Sequence, residues 1–119
     1  MKAFELVPYK GKSIAMVDIS NTTTEQLIAA LGDAHARISK LPANSALILT
    51  DVTKAANNSE TGAAIKEFAA KNTPYVKASA VVGVEGMKAV LQTAVSMQNK
   101  RDIASFATRG EAKVWLAAR

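Results

Sequence analysis

The stretch "ALILTDVTKAANNSETGAAIKEF", residues Ala46 to Phe68, decides how the rest of the chain is read. Its opening run, Ala46 to Thr50, is apolar or small and shows no alternation with polar side chains. A strand wetted on one face alternates, whereas a strand covered on both faces does not. The run therefore predicts a strand in the middle of a sheet. Asp51 closes it and a mostly polar loop follows. From about Ser59, the expected N-cap, the spacing of Ala64, Ile65, Phe68 and Ala69 predicts a helix with one buried stripe.

The same alternation continues in both directions. Upstream, Phe4 to Val7 and Ser13 to Ile19 read as two short strands. Pro8 and Gly11 carry the turn between them, so a hairpin is expected. Thr22-x-x-Glu25 fits a capping box, in which a hydroxyl and a carboxylate satisfy free backbone N–H groups. The helix after it carries Leu27, Ile28, Leu31, Ala34, Ile38 and Leu41 at helical spacing, and Pro42 ends it. Downstream, Asn72-Thr73-Pro74 stops the second helix and Tyr75 to Val82 is the next strand. Gly83 closes that strand. A third helix is expected from about Glu85 to Met97, with Met87, Val90, Leu91, Ala94 and Val95 as its stripe. Asp102 to Phe106 is the last strand. Thr108-x-x-Glu111 opens a terminal helix that turns Ala112, Trp115 and Leu116 inward.

The expected order is ββαβαβαβα. Strands that alternate with helices imply parallel crossovers, with the helices packed on a sheet. The extra first strand should pair antiparallel at or near an edge. Residues 1–119 thus read as one α/β domain with a mixed, mostly parallel sheet and four helices.

Composition narrows the chemistry. The 119 residues are 49% apolar, a level that suits a folded domain with its own core. No apolar run reaches membrane-spanning length, and the N-terminus lacks the apolar stretch of a signal peptide, so a cytoplasmic protein is expected. There is no cysteine. Disulfides, thiolate nucleophiles and Cys-based metal sites are therefore excluded. The net charge is +5 and the isoelectric point about 9.6. The fifteen Lys and Arg are scattered, however, and the aromatics are too few for a base-stacking platform. The balance reads as solubility and not as nucleic-acid binding.

Three features bear on catalysis. His35, the only histidine, falls inside the first helix, away from the strand ends where catalytic groups converge. Gly83-Val84-Glu85-Gly86 lies between a strand and a helix but has neither a dinucleotide fingerprint nor a P-loop, and it reads as a tight turn. Asp18 and Asp51 both end strands and would lie near one another in a parallel sheet. They suit a shared magnesium ion, a general acid/base pair, or bonds to loop N–H groups, and the last is the simplest reading. A receiver-type phospho-acceptor site would want a second acidic residue beside Asp18 and a Lys ending a later strand. Neither is present. No catalytic residue, metal ligand or cofactor is assigned.

Three stretches carry a family resemblance. "YKGKSIAMVDIS" (Tyr9 to Ser20) looks like an early hairpin, and "LILTDVTKA" (Leu47 to Ala55) like a central strand and its loop. "FAAKNTPYVKASAVVGVEGMKAVL" (Phe68 to Leu91), with the ending "FATRGEAKVWLA", looks like two last βα units. Together they resemble the SpoIIAA-like branch of the STAS superfamily, the anti-sigma factor antagonist-like proteins grouped with SEC14-type folds. The resemblance implies a binding module without a cofactor. In the antagonists, a Ser or Thr at the start of the second helix is phosphorylated by a partner kinase, after a loop reading roughly Asp-Ser-Ser-Gly. The stretch here is Asn58-Ser59-Glu60-Thr61-Gly62, a departure from that string, with Ser59 the nearest match and Thr61 second. Asp18, Asp51, Thr53, Asn57 and Asn58 would then form the loop surface that meets a partner.

The leading expectation is a non-enzymatic regulatory or protein-interaction module under phosphorylation control, its partner an anti-sigma-type kinase. The alternative is a carrier or sensor of an apolar, lipid-like ligand with peripheral membrane contact. The resemblance implies that helices can move apart from the sheet, and Ile65, Phe68, Met87, Val90, Leu91 and Met97 would line that space. An ordinary core stripe would contain the same residues. An enzyme using Asp18 and Asp51 is the weaker alternative, and a dimer stays open.

Overall fold

The computed structural model describes residues 4–56, 58–83 and 102–119. The elements run β1 (Phe4–Tyr9), β2 (Lys12–Asp18), α1 (Thr24–Ile38), β3 (Ala46–Asp51), α2 (Ser59–Asn72), β4 (Val76–Val82), β5 (Asp102–Phe106) and α3 (Arg109–Ala117). The strands lie in the order β1-β2-β3-β4-β5. β1 pairs antiparallel with β2 at one edge, and the other pairings are parallel. The expected helix over Glu85–Met97 lies outside the described residues. The described α/β architecture therefore comprises a mixed five-stranded sheet and three helices.

Local chemistry explains the boundaries. β1 and β2 join through Lys10 and Gly11, both with positive φ (49° and 81°). Two successive left-handed residues make the tight turn whose twist matches a hairpin. Pro8 was expected in that turn. It instead sits within β1 opposite Ser13, and an edge strand tolerates its missing N–H. The capping box of α1 is one residue later than expected. Thr23 is the N-cap and exchanges bonds with Gln26, while the buried Thr22 donates its hydroxyl to the Ile19 carbonyl at 2.7 Å. α1 also ends at Ile38, short of Pro42, and Leu41 packs on the core from the loop beyond.

Two layers of core follow from the period of two along each strand. Ala15, Val17, Ala46 and Ile48 face α1 and α2, where Leu27, Leu31, Ala34, Ile38 and Phe68 meet them. Ile14, Met16, Leu47, Leu49, Ala78 and Ala80 face the other way, against Ala112 and Leu116 of α3. All six residues of β3 are buried, because helices cover both faces. In β4 the register shifts so that Ala46 opposes Val76 but Leu47 opposes Ala78. The extra residue, Lys77, is a bulge, and it explains why Val76 joins the α1/α2 layer while Ala78 joins the other.

Candidate functional site

The C-terminal ends of parallel strands are where loops gather and ligands usually bind in open α/β sheets. Here β2 and β3 end at matched positions, with Asp18 paired to Asp51 in register. Asp18 shares the parity of Ile14 and Met16, and Asp51 that of Leu47 and Leu49. Both carboxylates therefore lie on the α3 face. Arg109, the first residue of α3, joins them. Its Nε is 2.6 Å from Asp51 Oδ2 and its Nη2 is 3.2 Å from Asp18 Oδ2.

The remaining carboxylate oxygens are also engaged, by the same device used twice. Asp18 Oδ1 accepts from the Ser20 amide at 3.0 Å and from the Ser20 hydroxyl at 2.5 Å. Asp51 Oδ1 accepts from the Thr53 amide at 2.9 Å and from the Thr53 hydroxyl at 2.6 Å. In each turn the residue between, Ile19 or Val52, is buried in the core. In each, the residue after the hydroxyl, Asn21 or Lys54, takes a positive φ (55° and 54°). The ladder continues past the strands, with the Ile19 amide donating to the Asp51 carbonyl and the Asn21 amide to the Thr53 carbonyl. The two loops thus repeat one conformation side by side.

Gly83 completes the packing at the end of β4. It has φ 80°, and a Cβ there would overlap the Thr53 hydroxyl and lie only 2.8 Å from the Thr53 Cα. Glycine is needed both for the left-handed backbone and for the close approach.

Electrostatics follow from these contacts. Burial pushes each Asp carboxyl up. For Asp18, the Ser20 hydroxyl and amide and then Arg109 outweigh it and hold the group below the ordinary value. For Asp51, the Thr53 hydroxyl and amide and then Arg109 do the same. Arg109 is drawn down by burial but raised on balance by Asp51 and Asp18. The cluster is a charged, hydrogen-bonded tie between two strand ends and a helix. A general acid or base works best with a pKa near the working pH, and these carboxylates are shifted the other way. No group of three or more His, Asp or Glu side chains suited to hold a metal occurs among the described residues.

A scan against protein-family models, a search of curated proteins and a search of solved structures return no match.

Of the loop residues singled out from the sequence, Asp18, Asp51, Thr53 and Asn58 meet at this edge. Asn58, not Ser59, is the N-cap of α2. Its side chain accepts from the Thr61 amide at 3.0 Å and donates to Thr24 Oγ1 at 2.9 Å, which ties the start of α2 to the start of α1. Ser59 is the first residue of the helix and is exposed. Thr61 is fully buried, and its hydroxyl bonds back to Asn58 in the capping box. Its placement is that of a structural cap. Asn57 lies outside the described residues. Of the apolar set, Phe68 is buried and Ile65 half-buried against the core, while Met87, Val90, Leu91 and Met97 lie outside the described residues.

His35 is half-buried in α1, with Nδ1 2.6 Å from the side-chain oxygen of the buried Asn72. Arg109 was missed in the sequence, yet two clues were present. A cation in the first turn of a helix opposes the helix dipole, so its presence there implies an acidic partner elsewhere. The tripeptides Asp18-Ile19-Ser20 and Asp51-Val52-Thr53 also repeat one pattern.

Proposed function

We propose that this chain is a non-enzymatic, protein-interaction module of the STAS, SpoIIAA-like kind, with Ser59 as its point of phosphorylation control. The observation that carries the reading is the placement of Ser59. It is exposed on the first turn of α2, at the sheet edge where the loops after β2 and β3 and the start of α1 come together. A kinase can reach that hydroxyl. A phosphate there would meet the N–H groups of the first turn and the positive dipole end of α2, so the modified loop is well tolerated by the fold. It would also add about two negative charges to the surface a partner touches. The tie between Asp18, Asp51 and Arg109 supports the non-enzymatic side of the reading, since it occupies both carboxylates with structural bonds.

The test is partner capture from native cell extract with Ser59→Ala and Ser59→Asp baits, alongside phosphopeptide mapping of the wild-type chain. The expected result is phosphate on Ser59 and a partner retained by one variant and lost by the other. An unmodified Ser59, with equal capture by both baits, would overturn the proposal.

A further inference from the structure

β1 is the outermost strand on its side of the sheet and is bonded to β2 alone. The tight turn at Lys10 and Gly11 makes Tyr9 and Lys12 the first hydrogen-bonded pair of the hairpin. Antiparallel pairs alternate, so Val7 and Glu5 also direct their backbone N–H and C=O groups at β2. The backbone groups of Phe4, Leu6 and Pro8 point outward, where no backbone partner stands among the described residues. Proline brings only a carbonyl to that side, and its place in this set leaves the hairpin ladder whole.

The side chains of the same residues are apolar. Phe4 packs with the α1/α2 layer, whereas Val7 and Tyr9 pack with the α3 layer. By strand parity, Leu6 and Pro8 share the face of Phe4. Leu6 is 51% exposed, and Pro8 is exposed as well. Phe4 is anchored, with the Arg37 guanidinium 5.8 Å from its ring centre, so the strand is held in place before anything joins it. An open strand of this kind is a template for another strand. Its outward row, Phe4, Leu6 and Pro8, carries no charge to keep one away.

We propose that a second copy of this chain pairs here, β1 antiparallel to β1, about a two-fold axis at Leu6. Each Leu6 amide then donates to the carbonyl of the partner's Leu6, and each Phe4 amide to the carbonyl of the partner's Pro8. The side chains match in the same register. Leu6 faces the partner's Leu6, Phe4 faces the partner's Pro8, and on the other face Glu5 lies opposite the partner's Val7. A slip of two residues toward the strand start sets Glu5 against the partner's Glu5, and like charges directly opposite are destabilising. The reverse slip pairs Leu6 with the partner's Pro8, which has no amide to return. The strand therefore selects one register against itself, and this self-complementarity is what favours a second copy over a foreign strand. Two-fold pairing uses the same patch on both chains and closes at the dimer. One strand pair is a small interface, so the dimer is a weak one. Ser59 does not enter the argument, so this proposal and the phosphorylation reading stand or fall separately.

Sedimentation velocity of the full chain, from micromolar to millimolar protein, tests it. Wild type should shift from monomer toward dimer across that series. Leu6→Lys sets two ammonium groups face to face on the axis and removes the apolar pair, and it should weaken association about tenfold. Ser59→Asp should sediment as wild type does. The chain has no cysteine of its own, so single thiols report the geometry. Leu6→Cys should be joined to itself by a short bis-maleimide linker, whereas Val114→Cys, at a residue 53% exposed on α3, should not. If Leu6→Lys fails to fold by circular dichroism, the linker comparison decides. A monomer at every concentration, equal association by Leu6→Lys, or linkage no greater at Leu6→Cys than at Val114→Cys would each overturn the proposal. So would a wild-type chain that stays monomeric and takes up an extended peptide along β1 instead.

Discussion

Gly83 and Thr53 illustrate how much a single atom decides at this sheet edge. The Thr53 hydroxyl and amide both serve Asp51, and Gly83 packs so closely on Thr53 that a methyl group has no room. Gly83→Ala adds that methyl at a left-handed backbone position, which alone costs roughly 1–2 kcal/mol. The clash adds overpacking strain of about 1–3 kcal/mol. The expected loss is therefore at least about 2 kcal/mol in urea denaturation, with no change of fold. Loss below about 0.5 kcal/mol, the range of a neutral surface change, would mean that Thr53 is not held as described. The glycine itself was legible in the sequence as the residue closing a strand. The neighbour that requires it lies thirty positions away and was not.

At the scale of elements, α3 is held in two ways. Ala112 and Leu116 are buried on the sheet, and Phe106 meets Trp115 with ring centroids 5.7 Å apart. Arg109 then ties the start of the helix to β2 and β3. Arg109→Leu leaves two carboxylates facing one another with their cation gone. An exposed pair is worth less than about 1 kcal/mol and breaking a buried one costs about 3–5. This half-exposed triad belongs between, at about 1–2 kcal/mol. Adding Asp18→Asn to Arg109→Leu removes the repulsion and should recover part of the loss, a coupling that a double-mutant cycle reads directly. Strict additivity would show that the triad is not a unit. The elements themselves were readable, because strands of β-branched and apolar residues, capping hydroxyls and helical stripes are local patterns. Their ends were less so. Thr22 and Thr23 are both capping types, and only the contact of Thr22 with Ile19 assigns the cap to Thr23.

For the whole molecule, the strand-end carboxylates link stability to pH. Asp18 and Asp51 both have pKa values below the ordinary value in the folded chain. Their contribution is complete above the unfolded Asp pKa of about 3.9 and is lost as pH falls from there through the folded values. Wild type should therefore lose urea resistance below about pH 4. Asp51→Asn should be less stable at neutral pH, and its gap from wild type should close as pH falls through that window. A gap that stays constant from pH 7 to about pH 2.5 would sever this linkage. The sequence by itself determined the α/β class, the central place of Ala46–Thr50, the antiparallel edge strand and the loop that follows Asp51. These follow from side-chain periodicity, strand parity and capping chemistry, which act over a few residues. Tertiary structure alone decided that Arg109 closes on Asp18 and Asp51, that Thr61 is buried and Ser59 exposed, and that His35 meets Asn72. Those facts depend on which elements the crossovers bring together, and contacts between residues far apart in the chain leave no periodic trace in one sequence.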